Sequence, residues 1–449
     1  MRIHDPSTIM ECNGKYYTYG TGGAALVSDD GWTWRRGVTP PRTGAAPDVI
    51  HIGDRYYLYV SGGNGIYMIW NKTLDPQSPD YKWEDGGLVA STEGPDDFCN
   101  PIDPGLFLDP TDGRLWLTYG SYFGYIRLVE LDPKTGKRLN PEAKPMNIAI
   151  NCEASVIIYH DGWYYLLATH GSCCRGADSG YNIRVGRSRK VTGPYIDHMG
   201  IDMLKGGGKL FVGSGGRVIG PGHFGLMDCG YGVQKFSCHY EADLDRGGAS
   251  VLDIRPVLWQ DGWPVAGENP KEGTYQIESE RTGTALELAV EGVPVGGRRG
   301  RAGGGMFGGQ GGVIPPQDAN QVSANWPAGK VGIRMANYMC QAQQKWTITA
   351  VPEAGGYPGS PYFKITVAGT DRTLAVDEEG ELVALPSFTG GDEQLWRIDQ
   401  LSDGTWRIVP RFASVANEPL AISAIGSSFA TLARFDPSSD KQRWLLKTP

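Results

Sequence analysis

One local pattern, repeated five times in the first 265 residues, limits what this chain can fold into: a glycine turn followed at once by alternating aromatic residues. It reads Asn13-Gly14-Lys15-Tyr16-Tyr17, Gly53-Asp54-Arg55-Tyr56-Tyr57, Asp112-Gly113-Arg114-Leu115-Trp116, Asp161-Gly162-Trp163-Tyr164-Tyr165 and a weaker Cys229-Gly230-Tyr231, with glycines 39, 60, 49 and 68 residues apart. Asn-Gly and Asp-Gly between apolar runs favour tight hairpins because both turn residues tolerate positive φ. Five hairpin units of blade size predict an all-β chain that begins with a five-bladed β-propeller; an irregular all-β sandwich with unrelated turns is the competing reading. With 65 Gly and 30 Pro in 449 residues, long helices are not expected to dominate.

A second register runs just upstream of the turns. Asp5, Asp103 and Glu153 precede their turn glycines by nine, ten and nine residues, and Asp48 and His223 lie in the same stretches of their units. The first strand of each propeller blade lines the central channel. Equivalent residues there converge on the axis, so this spacing predicts three carboxylates and a histidine at one mouth.

After Trp263-Pro264 a different repeat takes over: Gln344-Lys345-Trp346, Gln394-Leu395-Trp396 and Gln442-Arg443-Trp444, spaced 50 and 48 residues. Three copies predict a threefold β unit, with the boundary between Ala266 and Thr274, giving domains at 1–268 and 272–449. Ten of the 17 residues from Gly296 to Gly312 are glycine, too few apolar groups to order a segment, which reads as a mobile loop.

The remaining composition narrows the function classes. A net charge of −8 repels phosphate backbones and argues against nucleic acid as a partner. No run of 18 apolar residues predicts a membrane-spanning helix, and the first motif begins so early that a cleaved leader is expected to have preceded this numbering. Eight cysteines are too sparse for a disulfide scaffold, and adjacency of Cys173 and Cys174 predicts that each packs, binds or pairs elsewhere. The excess of Tyr and Trp suits surfaces that stack on sugar rings.

Two carboxyl groups, one protonated and one ionised, are the minimum equipment for hydrolysing a glycosidic bond through an oxocarbenium-like transition state, and a third nearby carboxylate raises the pKa of the acid by like-charge repulsion. Taken singly, each acid reads equally as a turn residue accepting backbone N–H bonds. Convergence is what favours chemistry.

The ordered strings Ile3-His4-Asp5-Pro6-Ser7, Ile102-Asp103-Pro104, Glu153-Ala154, Cys173-Cys174-Arg175-Gly176, Tyr181-Asn182-Ile183-Arg184-Val185-Gly186-Arg187-Ser188, Thr192-Gly193-Pro194-Tyr195 and Gly220-Pro221-Gly222-His223 resemble glycoside hydrolase family 43, and within it the arabinanases. The resemblance runs from residue 3 to about Trp263. It implies an inverting hydrolase of α-1,5-linked L-arabinan, with Asp5 as general base, Glu153 as general acid and Asp103 as the residue that tunes and orients the acid. Inversion requires room for a water, with carboxyl groups roughly 6.5–9.5 Å apart. The resemblance also implies a calcium ion near the axis held largely through waters at His223, although hard cations prefer oxygen. It places Asp48, Tyr122, Phe123, Cys173, Cys174 and Arg175 along the substrate cleft. Ala45-Ala46-Pro47-Asp48 stands where these arabinanases usually show Trp-Ala-Pro-Asp, and Tyr122-Phe123-Gly124 also departs from the usual run, which leaves endo or exo action and the exact sugar open.

The Gln-x-Trp domain is similar to a ricin-type β-trefoil of the family 13 carbohydrate-binding modules. The segments matching its sugar-binding signature are Leu286-Glu287-Leu288, Leu374-Ala375-Val376 and Leu420-Ala421-Ile422, so two lobes lack the acid and at most one weak site is expected, at Glu287. The resemblance therefore implies an extracellular or periplasmic enzyme acting on plant cell-wall polysaccharide. Rival readings are an exo-acting glycosidase of the same family releasing arabinofuranose, xylose or galactose, and a non-catalytic carbohydrate-binding protein.

Overall fold

A computed structural model describes residues 1–92, 99–122, 124–290, 322–412, 414–415 and 418–449. Phe123 and the glycine-rich stretch 296–312 lie outside the described residues. The chain divides into two compact units, Met1–Glu268 and Asn269–Pro449.

The first unit is a five-bladed β-propeller. Each blade is a four-stranded antiparallel sheet whose strands follow chain order, with inner strands Met10–Cys12, Ala45–Ile52, Gly105–Leu108, Glu153–His160 and Val218–Asp228. The turn signals do their work: Asn13-Gly14 and Asp161-Gly162 close two-residue hairpins with both φ angles positive, joining Cys12 to Lys15 and His160 to Trp163. Asp112-Gly113 instead belongs to a wider connection from Leu108 to Leu115.

The apolar cores lie between successive blades. Val49, Tyr56 and Leu58 pack with Tyr17 and Val27 between blades one and two, and Tyr57, Leu106, Leu117 and Tyr119 fill the next interface. Ile157, Leu166 and Ile126 join blades three and four; Leu167, Val185, Phe224 and Phe236 join four and five. The ring closes through a smaller cluster of Ile9, Met227 and Ile254, and through an antiparallel bridge of Arg2 to Val251.

The second unit is a β-trefoil whose three Gln-x-Trp motifs are core. Trp346, Trp396 and Trp444 have no exposed surface, and their indole N–H groups donate to the carbonyls of Leu286, Leu374 and Ile422 at 2.8, 3.0 and 2.9 Å. The glutamines are equally periodic: the side-chain N–H of Gln344, Gln394 and Gln442 reaches the carbonyls of Asn337, Ser387 and Arg434. Trp396→Ala should cost about 3–5 kcal/mol by cavity formation, plus about 1–3 kcal/mol for stranding the Leu374 carbonyl. Denaturant unfolding of the wild type and variant measures it; a loss under about 1 kcal/mol would contradict this packing role.

Candidate active site

The mouth of the propeller is built by a backbone device repeated in all five blades. In each blade one residue within or just ahead of the inner strand takes a left-handed conformation: Asp5, Ala46, Asp103, Ala154 and His223, with φ of 51°, 42°, 57°, 47° and 62°. Such angles are strained for non-glycine residues, and register shifts accompany those at Ala46, Ala154 and His223. Each strained residue donates its N–H to a side chain of the preceding blade: Asp5 to His239 Nδ1 (3.2 Å), Ala46 to Thr21 Oγ1 (2.8 Å), Asp103 to Ser61 Oγ (3.0 Å), Ala154 to Asp103 Oδ2 (3.1 Å) and His223 to Thr169 Oγ1 (3.0 Å). Four of these acceptors occupy equivalent strand positions. The fifth equivalent position, in blade three, is Gly120, whose N–H meets the Ile102 carbonyl. Glycine offers no acceptor, and the Asp103 carboxylate takes over the task.

This device corrects the spacing argument by one residue. Asp5, Asp103 and His223 share the left-handed register, whereas Glu153 precedes it and Asp48 follows it by two. Bulges change how many residues separate the head of a strand from its turn, so counting back from the glycines blurs the register.

Asp5 is the most heavily held acid. Its Oδ2 faces His4 Nδ1 at 2.8 Å and accepts from Thr21 Oγ1 at 2.5 Å, while Oδ1 lies 3.7 Å from His223 Nδ1 and 3.9 Å from His239 Nδ1. Burial pushes its pKa up, but the nearby His223 ring, the hydrogen bond from His4 and the His239 ring behind it outweigh that, holding Asp5 well below the usual carboxylate range. Asp103 has no such partners. Burial first, then the charge of Asp5, lifts it to about 8, so it carries a proton at neutral pH. Glu153 is also raised, chiefly by burial and further by Asp5, against a hydrogen bond from the Tyr181 hydroxyl. The mouth thus separates an ionised acid from two acids biased toward the protonated form, the division of labour that general acid–base chemistry needs. The charge of Asp5 helps raise Glu153, Glu153 in turn helps raise Asp103, and Asp103 also accepts the N–H of Ala154, the neighbour of Glu153.

Behind Asp5 stands a second row that the sequence patterns do not reveal. His4 Nε2 lies 3.1 Å from Glu241 Oε1, which also accepts the Cys174 N–H at 3.0 Å. Burial would lower His4, yet its bonds to Asp5 and Glu241 raise it to about 10, while the nearby His239 ring and the hydrogen bonds from His4 and Cys174 overcome burial and bring Glu241 to about 2. Because His239 Nδ1 accepts the Asp5 N–H, its proton resides on Nε2, 3.7 Å from Glu241. The alternation His239-Tyr240-Glu241, two residues apart on one strand face, is the signal that points to this row.

Several expectations change. Cys173 and Cys174 do not pair elsewhere; they form a disulfide with each other, in the loop whose Cys174 N–H holds Glu241. Asp48 is 2% exposed, and its two oxygens accept the N–H groups of Thr8 and Leu106 at 3.0 and 2.8 Å, so it ties neighbouring blades instead of meeting substrate. Tyr122 stays near Glu153, with its hydroxyl on the Thr169 carbonyl at 3.2 Å, and Arg175 is exposed. In the trefoil, Glu287 is 3% exposed and is committed to Arg334 Nε (2.6 Å) and Gln344 Nε2 (2.8 Å), which makes it a buried tie and not an open sugar site. The indole bonds also shift the third segment by two: Ile422-Ser423-Ala424 is equivalent to Leu286-Glu287-Leu288, and Gln442 correspondingly meets Ser423 Oγ at 2.9 Å.

A five-bladed propeller with an acid triad at its mouth defines a class of polysaccharide-cleaving enzyme, and comparison with known proteins agrees. Glycosyl hydrolases family 43 matches residues 21–264, and a ricin-type β-trefoil lectin domain-like family matches 342–417. The chain is 35% identical over 305 residues to the extracellular exo-α-(1→5)-L-arabinofuranosidase ArbA of Cellvibrio japonicus, covering 59% of this chain and 86% of that one. It is 32% identical over 291 residues to the extracellular endo-α-(1→5)-L-arabinanase 1 of Bacillus subtilis, covering 58% and 87%. Among solved structures, an exo-1,5-α-L-arabinanase from a bovine ruminal metagenomic library aligns with a TM-score of 0.54 at 34% identity, covering 60% of this chain and 97% of that one. The chain belongs to glycosyl hydrolases family 43 and is a glycoside hydrolase.

Proposed function

We propose that the protein hydrolyses α-1,5-linked L-arabinan with inversion, outside the cell that makes it. The observation that carries the reading is the opposed state of Asp5 and Glu153 at one mouth: Asp5 is held ionised and Glu153 is biased toward its protonated form. Support for the sugar comes from relatives named for α-(1→5)-L-arabinan chemistry, and from a Cellvibrio cellulosa arabinanase structure complexed with arabinohexaose, 30% identical over 59% of this chain and 95% of that one, with a TM-score of 0.55. Asp5 takes a proton from a water that attacks the anomeric carbon. Glu153 gives its proton to the leaving oxygen, and Tyr181 and the Asp103–Ala154 contact hold it in place. For the site of action, two relatives are named as extracellular, and among the described residues no helix is long and apolar enough to cross a membrane.

Linear arabinan, branched arabinan, xylan and galactan, with products sized over time, test the substrate. Release from linear arabinan is expected, and a ladder of oligosaccharides or a single small product separates endo from exo action. Proton NMR at early turnover should show the anomeric configuration opposite to that of the substrate bond; retention would require a covalent nucleophile and overturn the roles above.

A calcium ion near His223 belongs to the same reading. His223 is 4% exposed, its Nδ1 has no hydrogen-bond partner among the described residues, and the ionised Asp5 carboxylate lies 3.7 Å from it. A buried, unsatisfied nitrogen in an anionic setting fits a cation held there through waters. Such an ion would supply positive charge beside Asp5. The tighter groups of metal-binding types among the described residues, His4 with Cys173, Cys174 and Glu241 and His4 with Asp5 and His239, do not include His223. Exhaustive chelation should lower the melting temperature, and calcium should restore it in the wild type but not in His223→Ala. No calcium by elemental analysis and no thermal response would remove the ion from this reading.

A further inference from the structure

At the opposite end of blade four from Glu153 lies a cavity of about 520 Å³, lined by Trp163, Arg187, Arg189, Lys190, His198 and Trp263 among others. Its walls gather at the hairpin tips Asp161-Gly162 and Asp261-Gly262, whereas Glu153 begins the strand that ends at His160. Eight strand residues at about 3.3 Å each place it about 20 Å or more from the acids along that strand. None of the residues proposed to act in hydrolysis reaches it.

The arginines are fixed in advance. Arg187 has its guanidinium carbon 4.4 Å from the centre of the Trp163 ring and 4.5 Å from that of Trp263, and Arg189 lies 3.6 Å over Trp163. Each also donates one Nη1 hydrogen bond to a turn carbonyl, Arg187 to Gly262 at 2.8 Å and Arg189 to Gly162 at 2.9 Å. A guanidinium has five N–H donors, so most of each fork stays available. Among the described residues, neither arginine nor Lys190 forms an ion pair. The acid in the lining, Asp197, is turned to its own loop, accepting the N–H groups of Met199, Ile201 and Gly208 at 2.8, 2.9 and 2.9 Å. In a chain of net charge −8, three cations without carboxylate partners around one cavity form a site suited to an anion.

We propose that this cavity is a second polysaccharide site that takes the carboxylate of a uronic acid residue. Oriented guanidinium forks match a planar carboxylate with paired hydrogen bonds. The volume suits a sugar-sized ligand, and Pro194 and Ile196 supply apolar wall for the ring. The choice of a sugar acid rests on the reading that the enzyme works on plant cell-wall polymers, in which neutral chains and uronate-rich chains occur together. Anchoring on the acidic polymer would raise the local concentration of the neutral chain at the catalytic mouth.

Affinity electrophoresis of the whole protein in gels containing polygalacturonate or linear arabinan, with galacturonate trisaccharide and inorganic phosphate as competitors, tests this. Wild-type protein should be retarded by polygalacturonate, less so at high salt, and released by the trisaccharide. Arg189→Gln with Lys190→Gln should weaken that retardation by about tenfold or more, since a single charge-assisted hydrogen bond to the ligand is worth about that factor in affinity. The same variant should hydrolyse arabino-oligosaccharides at the wild-type rate, which shows it is folded. Lack of retardation by polygalacturonate, equal retardation of wild type and variant, or release by phosphate but not by the trisaccharide would each overturn the proposal. The gel readout does not depend on turnover, so absent hydrolysis of every polymer would refute the catalytic reading separately.

Discussion

Glu153→Gln is expected to lower kcat on underivatised arabinan by about 10²–10⁴-fold, the usual worth of a positioned general acid. An alkoxide is a poor leaving group, and Glu153 is the acid at the mouth that combines a raised pKa with partial access; Asp103, though lifted to about 8, is 6% exposed and spends one oxygen on the Ala154 N–H. The diagnostic is the leaving group. An aryl arabinoside whose phenol departs without protonation should regain most of the lost rate in the variant. The pH profile supplies the sign: Glu153 must be protonated to act, so wild-type activity falls as pH rises through its raised pKa. In Glu153→Gln that basic limb should vanish while the acidic limb stays. Activity within about tenfold of wild type on polymer, or an unchanged basic limb, would return Glu153 to a structural role.

What the sequence discloses and what it hides follow from the same physics. Hairpin turns are local events governed by two residues, so Asn13-Gly14 and Asp161-Gly162 announce their blades without tertiary information. The acids are visible because three of them precede such turns. Their register is not, because each blade carries a left-handed residue in or just ahead of its inner strand whose N–H donates to a side chain of another blade, a contact between residues as far apart as Asp5 and His239. Glu241 and His4 escape for a similar reason: a carboxylate 237 residues away joins the neighbouring Asp5 in holding His4 as a cation. For Cys173 and Cys174, the cost of joining neighbours does not decide the outcome, and the pair closes on itself. Glu287 reads as a sugar-binding acid from the match of its own segment, although its equivalent in the third lobe, Ser423, also serves a glutamine of the core.

Asp5→Asn should be as damaging as the loss of the acid, about 10²–10⁴-fold in kcat, and should differ from it in every diagnostic. Asparagine is the apt replacement because it keeps the size of the side chain and, at the Asp5 φ of 51°, adopts the left-handed conformation more readily than most residues, so the backbone keeps its shape. The amide cannot take a proton from water. A better leaving group leaves that requirement untouched, so aryl arabinosides should show no comparable recovery. The linkage is equally specific: Asp5 is held well below the usual carboxylate range, so in the wild type the base fails only as pH falls through that depressed pKa, and the variant should lose this acidic limb. The hydrogen bonds that depress Asp5 also contribute stability above its unfolded pKa that is lost on acidification, so the stability gap between wild type and Asp5→Asn should narrow as pH falls. His4 sharpens the reading. With the Asp5 charge gone, only Glu241 remains to hold the imidazolium, and its pKa should drop from about 10, which NMR of the imidazole can follow. An Asp5→Asn protein that regained its rate with aryl substrates would place the base elsewhere in the mouth. One in which the His4 titration did not move would break the chain from Glu241 through His4 to Asp5 on which that assignment stands.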